Sequence, residues 1–310
     1  MNNTRMTDAL FDGSLYASTV WAKARRALQL GPRYYLRNLP RYYSGRRKAG
    51  LPVCDWKPIV NPLGELRQKM HQRLPLPDVL GEALDLLRSA GVRLSLPRVR
   101  VEGLVAAWWS TRGVPGDMME CGAYRGATSL LLATLSRLAN LDRRLLVLDA
   151  FQNRLPTSWH DGMMTGREYD FVGDVVGRIL EQAERLNVLD RMDVWRGTFF
   201  DTFRLIAARG DTFSFVHIDA NYYAGTSDAC AFALARTLPG AAIVFDDYNG
   251  VCDLGARLAI DECLAPSSLR PVALAGCSAM LRIPGAEAAR VVPVSVGAGS
   301  RRTRAKAHAT

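Results

Sequence analysis

At 310 residues, 48% apolar and 23% charged, with a mean hydropathy of −0.03, the chain has the make-up of an ordinary globular protein. That excludes a wholly disordered chain, a collagen or a coiled coil. The net charge of +10 is uneven: residues 1–50 carry +8, 51–100 carry +3 and 301–310 carry +4, whereas 101–300 carry −5.

The longest apolar runs, such as Ala241 to Phe245, fall far short of the ~20 residues a membrane span needs. No basic start followed by an apolar stretch marks a leader. The six cysteines are scattered without a C-x-x-C pair, against a zinc ribbon or a disulfide framework. These features predict a cytoplasmic protein with reduced thiols and no membrane partner.

Residues 1–60 form a basic arm in which tyrosines interleave with arginines from Arg33 to Lys48. Such a segment suits a polyanion, an acidic partner or a contact between copies of the chain. A homo-oligomer through the arm is the expectation, and the acidic middle argues against nucleic acid as a partner. Short helices are predicted over Leu63 to Leu74, Pro77 to Ala90 and Val101 to Thr111.

From Pro115 apolar strands alternate with helices. Strands are expected at Asp117 to Cys121, Leu145 to Leu148, Asp193 to Trp195, Phe213 to Ile218 and Ala241 to Phe245. Further strands are expected near Pro271 to Ala275 and Ser278 to Ile283. Helices are expected at Ala127 to Leu138, Glu168 to Leu186, Phe199 to Ala208, Thr226 to Leu238 and Gly255 to Leu264. This alternation predicts an α/β fold with a doubly wound, mostly parallel sheet, an added helical N-terminal region, a main domain over 61–290 and a disordered basic tail over 291–310.

Ligands of such sheets sit beyond the carboxyl ends of the strands, so the residues at those ends carry the functional reading. Glu120-Cys-Gly-Ala-Tyr-Arg-Gly126 is a glycine turn between strand and helix, where backbone can approach a ligand closely. It lacks the middle glycine of the dinucleotide fingerprint. Asp149 lies 23 residues past Gly126, the position that accepts ribose hydroxyls, or else it caps the next loop. Asp219, Asp246 and Asp247 end neighbouring strands and repel one another, so something must hold them together. A hard divalent cation would do so; arginines or helix caps are the alternatives. His217 alternates with Asp219 along its strand and either shares its face or is a satisfied core residue. The loop from Asn153 to Gly166, with His160, is a candidate lid.

Taken together, Glu120 to Gly126, Asp149-Ala-Phe151, Gly197-Thr-Phe-Phe-Asp-Thr202, His217-Ile-Asp-Ala220, Phe245-Asp-Asp-Tyr248 and Ala259-Ile-Asp-Glu262 resemble the macrocin-type O-methyltransferases. These act on sugar hydroxyls of macrolide and aminocoumarin antibiotics. The resemblance runs from about Pro115 to Leu264. It implies a class I, Rossmann-like methyltransferase fold, S-adenosylmethionine as methyl donor and a divalent metal, usually Mg²⁺.

By motif position, Glu120, Gly122, Tyr124, Arg125, Gly126, Thr128 and Ser129 would hold the donor's amino-acid end. Asp149 would take its ribose, and Gly197 and Thr198 would lie near its adenine. Asp219, Asp246 and Asp247 would bind the metal, with Asp219 receiving the acceptor's proton and His217 beside it as a second catalytic candidate. Asn221 stands where the family commonly has a second Asp, which removes one carboxylate base.

The implied function is antibiotic biosynthesis: methylation of a sugar or diol hydroxyl on a small-molecule natural product. The alternatives are another acceptor, such as RNA recruited by the arm, and a non-catalytic partner-binding module.

Overall fold

The structure, a computed structural model, describes residues 74–158, 160–161, 169–250, 253–274 and 276–285. The basic arm, the basic tail and all but the last residue of the helix expected over 63–74 lie outside the described residues.

Two helices come first, α1 (Leu80–Ser89) and α2 (Arg98–Trp109). Alternation follows: β1 (Asp117–Cys121), α3 (Ala127–Leu138), β2 (Leu145–Asp149), α4 (Val175–Arg185), β3 (Met192–Arg196), α5 (Phe199–Arg209), β4 (Phe213–Ile218), α6 (Tyr223–Arg236), β5 (Thr237–Phe245) and α7 (Leu254–Leu264). The hairpin β6 (Val272–Ala273) and β7 (Ala279–Arg282) closes the sheet.

The strand order is β3-β2-β1-β4-β5-β7-β6. The first five strands run parallel, and β7 runs antiparallel to both β5 and β6. This is the expected doubly wound sheet. The chain winds outward from β1 in one direction and from β4 in the other, so the β1–β4 boundary is the topological switch point, the place where sheets of this kind take their ligands. Among the described residues no helix is long and apolar enough to cross a membrane.

Strand alternation divides the core in two. Met118, Leu145, Val147, Phe215, Ala242 and Val244 pack against α1 to α4. Met119, Cys121, Leu146, Leu148, Val216, Ile218, Ile243 and Phe245 pack against α5, α6 and α7. Glu120 and His217 share the parity of Met118 and Phe215, and they are paired in register. Both are therefore driven into the α2–α3 side of the sheet.

Several elements differ from the sequence expectation. The helix expected from Glu168 starts at Val175. Gly173 takes φ +68° and the Asp174 side chain accepts from the Gly177 amide at 2.9 Å, an N-cap that fixes the start. Tyr169 and Phe171 instead clasp Asn153: the Tyr169 amide donates to the Asn153 carbonyl at 2.7 Å and the Phe171 amide to its Oδ1 at 2.6 Å. Helix α6 begins three residues early, and β5 begins at Thr237. β5 pairs first through Thr237 and then jumps to Ala242, looping out around Pro239 and Gly240, so only Ala241 to Phe245 reads as a continuous apolar run. β6 is two residues long, shorter than expected.

Candidate active site

The glycine turn leaves β1 through backbone that few side chains tolerate. Gly122 has φ +94° and a Cβ there would run into the main-chain oxygen of Asp219. Gly126, at φ +76°, begins α3 against Ile179. Between them the Tyr124 amide donates to Asp149 Oδ2 at 2.8 Å, and the Phe151 amide donates to Asp149 Oδ1 at 2.7 Å. Burial raises the pKa of Asp149, and these two amides oppose that rise.

The Gly197 amide donates to the Asp149 carbonyl at 3.0 Å, and Thr198 caps α5 with its side chain. Gly122, Tyr124, Asp149, Gly197 and Thr198 are thus one connected rim. Arg125 pairs with Asp170 at 2.9 Å, and the Tyr124 hydroxyl donates to the same carboxylate. Tyr124, Phe151, Tyr169, Phe171 and Tyr222 form a chain of ring contacts beside it.

Glu120 and Ser129 sit beneath that rim, hydrogen-bonded to each other, and Thr128 is buried in α3 with them. The other Glu120 oxygen lies 2.8 Å from His217 Nδ1. His217 is fully buried, and its Nε2 stands 4.0 Å from Asp246 Oδ1, an ion-pair distance. Burial opposes its charge, but Asp246 and Glu120 override that and push its pKa up to about 10.

One oxygen from each of Asp219, Asp246 and Asp247 lies within 4.8 Å of the others. Asp246 and Asp247 are buried. Burial and the charges of Asp246 and Asp247 raise the pKa of Asp219 well above the usual range. Burial also works against ionised Asp246, yet Arg100 and His217 pull its pKa down to about 2. Asn221, left-handed at φ +59°, donates its amide to Asp219 Oδ1 at 3.3 Å.

Arg100 of α2 reaches this cluster and is the residue the sequence reading missed. It donates to both Asp246 oxygens and lies 3.2 Å from Asp247 Oδ1. The arginine partner left open for these carboxylates is therefore present. A divalent cation fits as well: three carboxyl groups converge here against the one guanidinium, and Asp247 Oδ2 is buried with no hydrogen-bond partner among the described residues. Three converging carboxylates are the oxygen donors that Mg²⁺ takes.

The family model described as Macrocin-O-methyltransferase (TylF) matches residues 99–264. The chain belongs to this macrocin O-methyltransferase family. One relative is the 8-demethyl-8-(2,3-dimethoxy-alpha-L-rhamnosyl)-tetracenomycin-C 4'-O-methyltransferase of Streptomyces olivaceus, 32% identical over 145 residues, covering 44% of this chain and 54% of its own. Another is the mycinamicin III 3''-O-methyltransferase of Micromonospora griseorubida, 27% identical over 159 residues, covering 48% of this chain and 61% of its own. The chain spans little more than half the length of these curated relatives.

Among solved structures, the calicheamicin methyltransferase CalS11 superposes with a TM-score of 0.52 at 18% identity, covering 71% of this chain and 91% of its own. The O-methyltransferase NovP gives 0.50 at 19%, covering 73% and 96%. The fold is that of the class I O-methyltransferases.

Within this macrocin-family chain one signal could have found Arg100. It lies four residues before Leu104 and eight before Trp108, on the apolar stripe of a helix whose buried face includes both. A charged residue on that stripe needs a buried partner.

Proposed function

We propose that this protein is an O-methyltransferase that transfers the methyl group of S-adenosylmethionine to a hydroxyl of a glycosylated natural product, with Mg²⁺ bound beside the acceptor. Family membership supports the reaction class, and relatives named for sugar hydroxyls of antibiotics support the acceptor class. The observation that carries the reading is the meeting, at the β1–β4 switch point, of the Asp149 rim with the Asp219–Asp246–Asp247 cluster.

In this reading Asp149, held by two amides, accepts the ribose hydroxyls of the donor. Gly122 to Gly126 hold the donor's amino-acid end, and Gly197 and Thr198 border its adenine. Glu120 is a positioning residue that holds the His217 ring at Nδ1, with Nε2 facing Asp246. Asp219, Asp246 and Asp247 would hold the Mg²⁺, which when bound would lower the pKa of the acceptor hydroxyl. Asp219 takes the hydroxyl proton on a carboxylate oxygen. The acceptor oxygen forms its bond to the methyl carbon as the carbon–sulfur bond breaks, leaving an ether and neutral S-adenosylhomocysteine. Asn221 steadies Asp219 and takes no proton itself.

A thermal-shift titration with S-adenosylhomocysteine, with and without Mg²⁺, tests the donor site. Ligand at ~100 times its dissociation constant stabilises by about 2.7 kcal/mol, a rise of about 5–10 °C for a domain of this size. The rise should vanish in Asp149→Ala. No rise in wild type at millimolar ligand would sink the reading.

A further inference from the structure

Arg100 occupies a slot built for it. Its side chain is 9% exposed and its stem crosses Gly276, where a Cβ would lie 2.5 Å from Arg100 Cγ. Gly276 itself has φ +83°, so both the space and the backbone there call for glycine. The guanidinium forks onto Asp246: Nε donates to Oδ1 at 3.2 Å, and Nη2 donates to Oδ2 and to the main-chain oxygen at 2.9 Å. Nη2 also lies 3.2 Å from Asp247 Oδ1. The hydroxyl of Ser278, two residues past Gly276, completes the clamp with a bond to Asp246 Oδ1 at 3.0 Å.

Asp247 Oδ2 stays buried without a hydrogen-bond partner among the described residues, and Asp219 is held by Asn221. Arg100 therefore contacts two of the three carboxylates with a single positive charge, leaving net negative charge and a free Asp247 oxygen on the cluster for another cation.

We propose that Arg100 is a resident cation of the carboxylate cluster. It holds Asp246 and Asp247 in ligand geometry before a divalent ion arrives, and it weakens that ion's binding so that the ion exchanges readily. The proposal rests on the metal reading above. A fixed positive charge a few ångströms from a divalent ion repels it, and burial leaves that repulsion poorly screened. Without the arginine, the buried carboxylates would repel one another until an ion came. Arg100 is a positioning residue in this scheme, not a catalytic one.

The test uses Mn²⁺ as probe on the EDTA-stripped full chain, with binding followed by electron paramagnetic resonance and melting followed by circular dichroism. Arg100→Met keeps a stem for the Gly276 slot and removes the charge; Arg100→Lys keeps the charge and loses the fork. Arg100→Met should melt lower than wild type without metal, bind Mn²⁺ on the order of tenfold tighter, and gain more from it in melting temperature. Arg100→Lys should bind Mn²⁺ much as wild type does.

An Arg100→Met protein that folds only with Mn²⁺ supports the proposal. If it folds under neither condition, Arg100→Gln is read by the same criteria. Equal or weaker Mn²⁺ binding by the folded charge-removing variant overturns the proposal, as does equally tightened binding by Arg100→Lys. If no protein binds Mn²⁺ at millimolar concentration, both the proposal and the metal reading fall. The S-adenosylhomocysteine shift then shows whether the donor site stands without them.

Discussion

Glu120, His217 and Asp246 form a buried line in which the His217 ring stands between two carboxylates, both of which push its pKa up. Removing one partner from such an arrangement leaves an uncompensated charge and costs about 3–5 kcal/mol. His217→Gln keeps hydrogen-bonding capacity but strands Glu120, so denaturant unfolding should show a loss of that size. A loss under about 1 kcal/mol would mean that the ring is not charged in the fold. The carboxylates themselves were legible in the sequence because each stands at or near the end of an apolar strand, whereas the meeting of Glu120 with His217 comes from the β1–β4 register. What could not be read was the opposing charge. Arg100 lies 146 residues from Asp246 in the chain, and only the packing of α2 on the sheet brings them together.

Among the described residues after β2, two sets of hydrogen bonds tie the chain down. The first is the clasp of Asn153 with Tyr169 and Phe171. Further along, Asp161 is almost wholly buried and accepts from the Ser158 amide and from the Tyr223 amide at the start of α6, each at 2.6 Å. Gly255 at the start of α7 leaves room for it, since a Cβ there would lie 2.6 Å from Asp161 Oδ1. Asp161 thus caps α6 from outside that helix, a role worth about 1–2 kcal/mol. Asp161→Ala should lose about that much stability and also speed tryptic cleavage after Arg154, because its loss frees the segment from α6. Unchanged cleavage would show that the clasp alone orders the segment. The sequence marked this stretch as a polar loop, yet it extended the next helix back to Glu168. Periodic apolar residues at Phe171, Val175 and Ile179 suggested helix throughout, while Phe171 in fact packs on Tyr124 and Phe151.

At the scale of the whole molecule, the half that carries the glycine turn and Asp149 (β1, β2, β3), the proposed donor side, and the carboxylate half (β4, β5) meet along one strand boundary. Strand pairing continues across it at the functional edge, where the Asp219 amide donates to the Cys121 carbonyl at 2.8 Å, and within the second half the Asp246 amide donates to the Ile218 carbonyl at 3.0 Å. The sheet order was readable as a class from the alternation of strands and helices, but how closely its halves approach was not. That distance is set by Gly122, whose missing side chain lets the donor turn lie directly on the Asp219 carbonyl. Gly122→Ala adds a methyl group where there is main chain and forces a left-handed φ on alanine. Strain of that kind costs about 1–3 kcal/mol before the clash is counted, and neither strand can retreat without breaking its ladder. The substitution should lower stability by at least about 2 kcal/mol in denaturant unfolding. It should also weaken both the S-adenosylhomocysteine shift and Mn²⁺ binding, because one displaced boundary disturbs both sites. Loss of one with the other intact would mean that the halves adjust independently, and that Gly122 serves the donor turn alone.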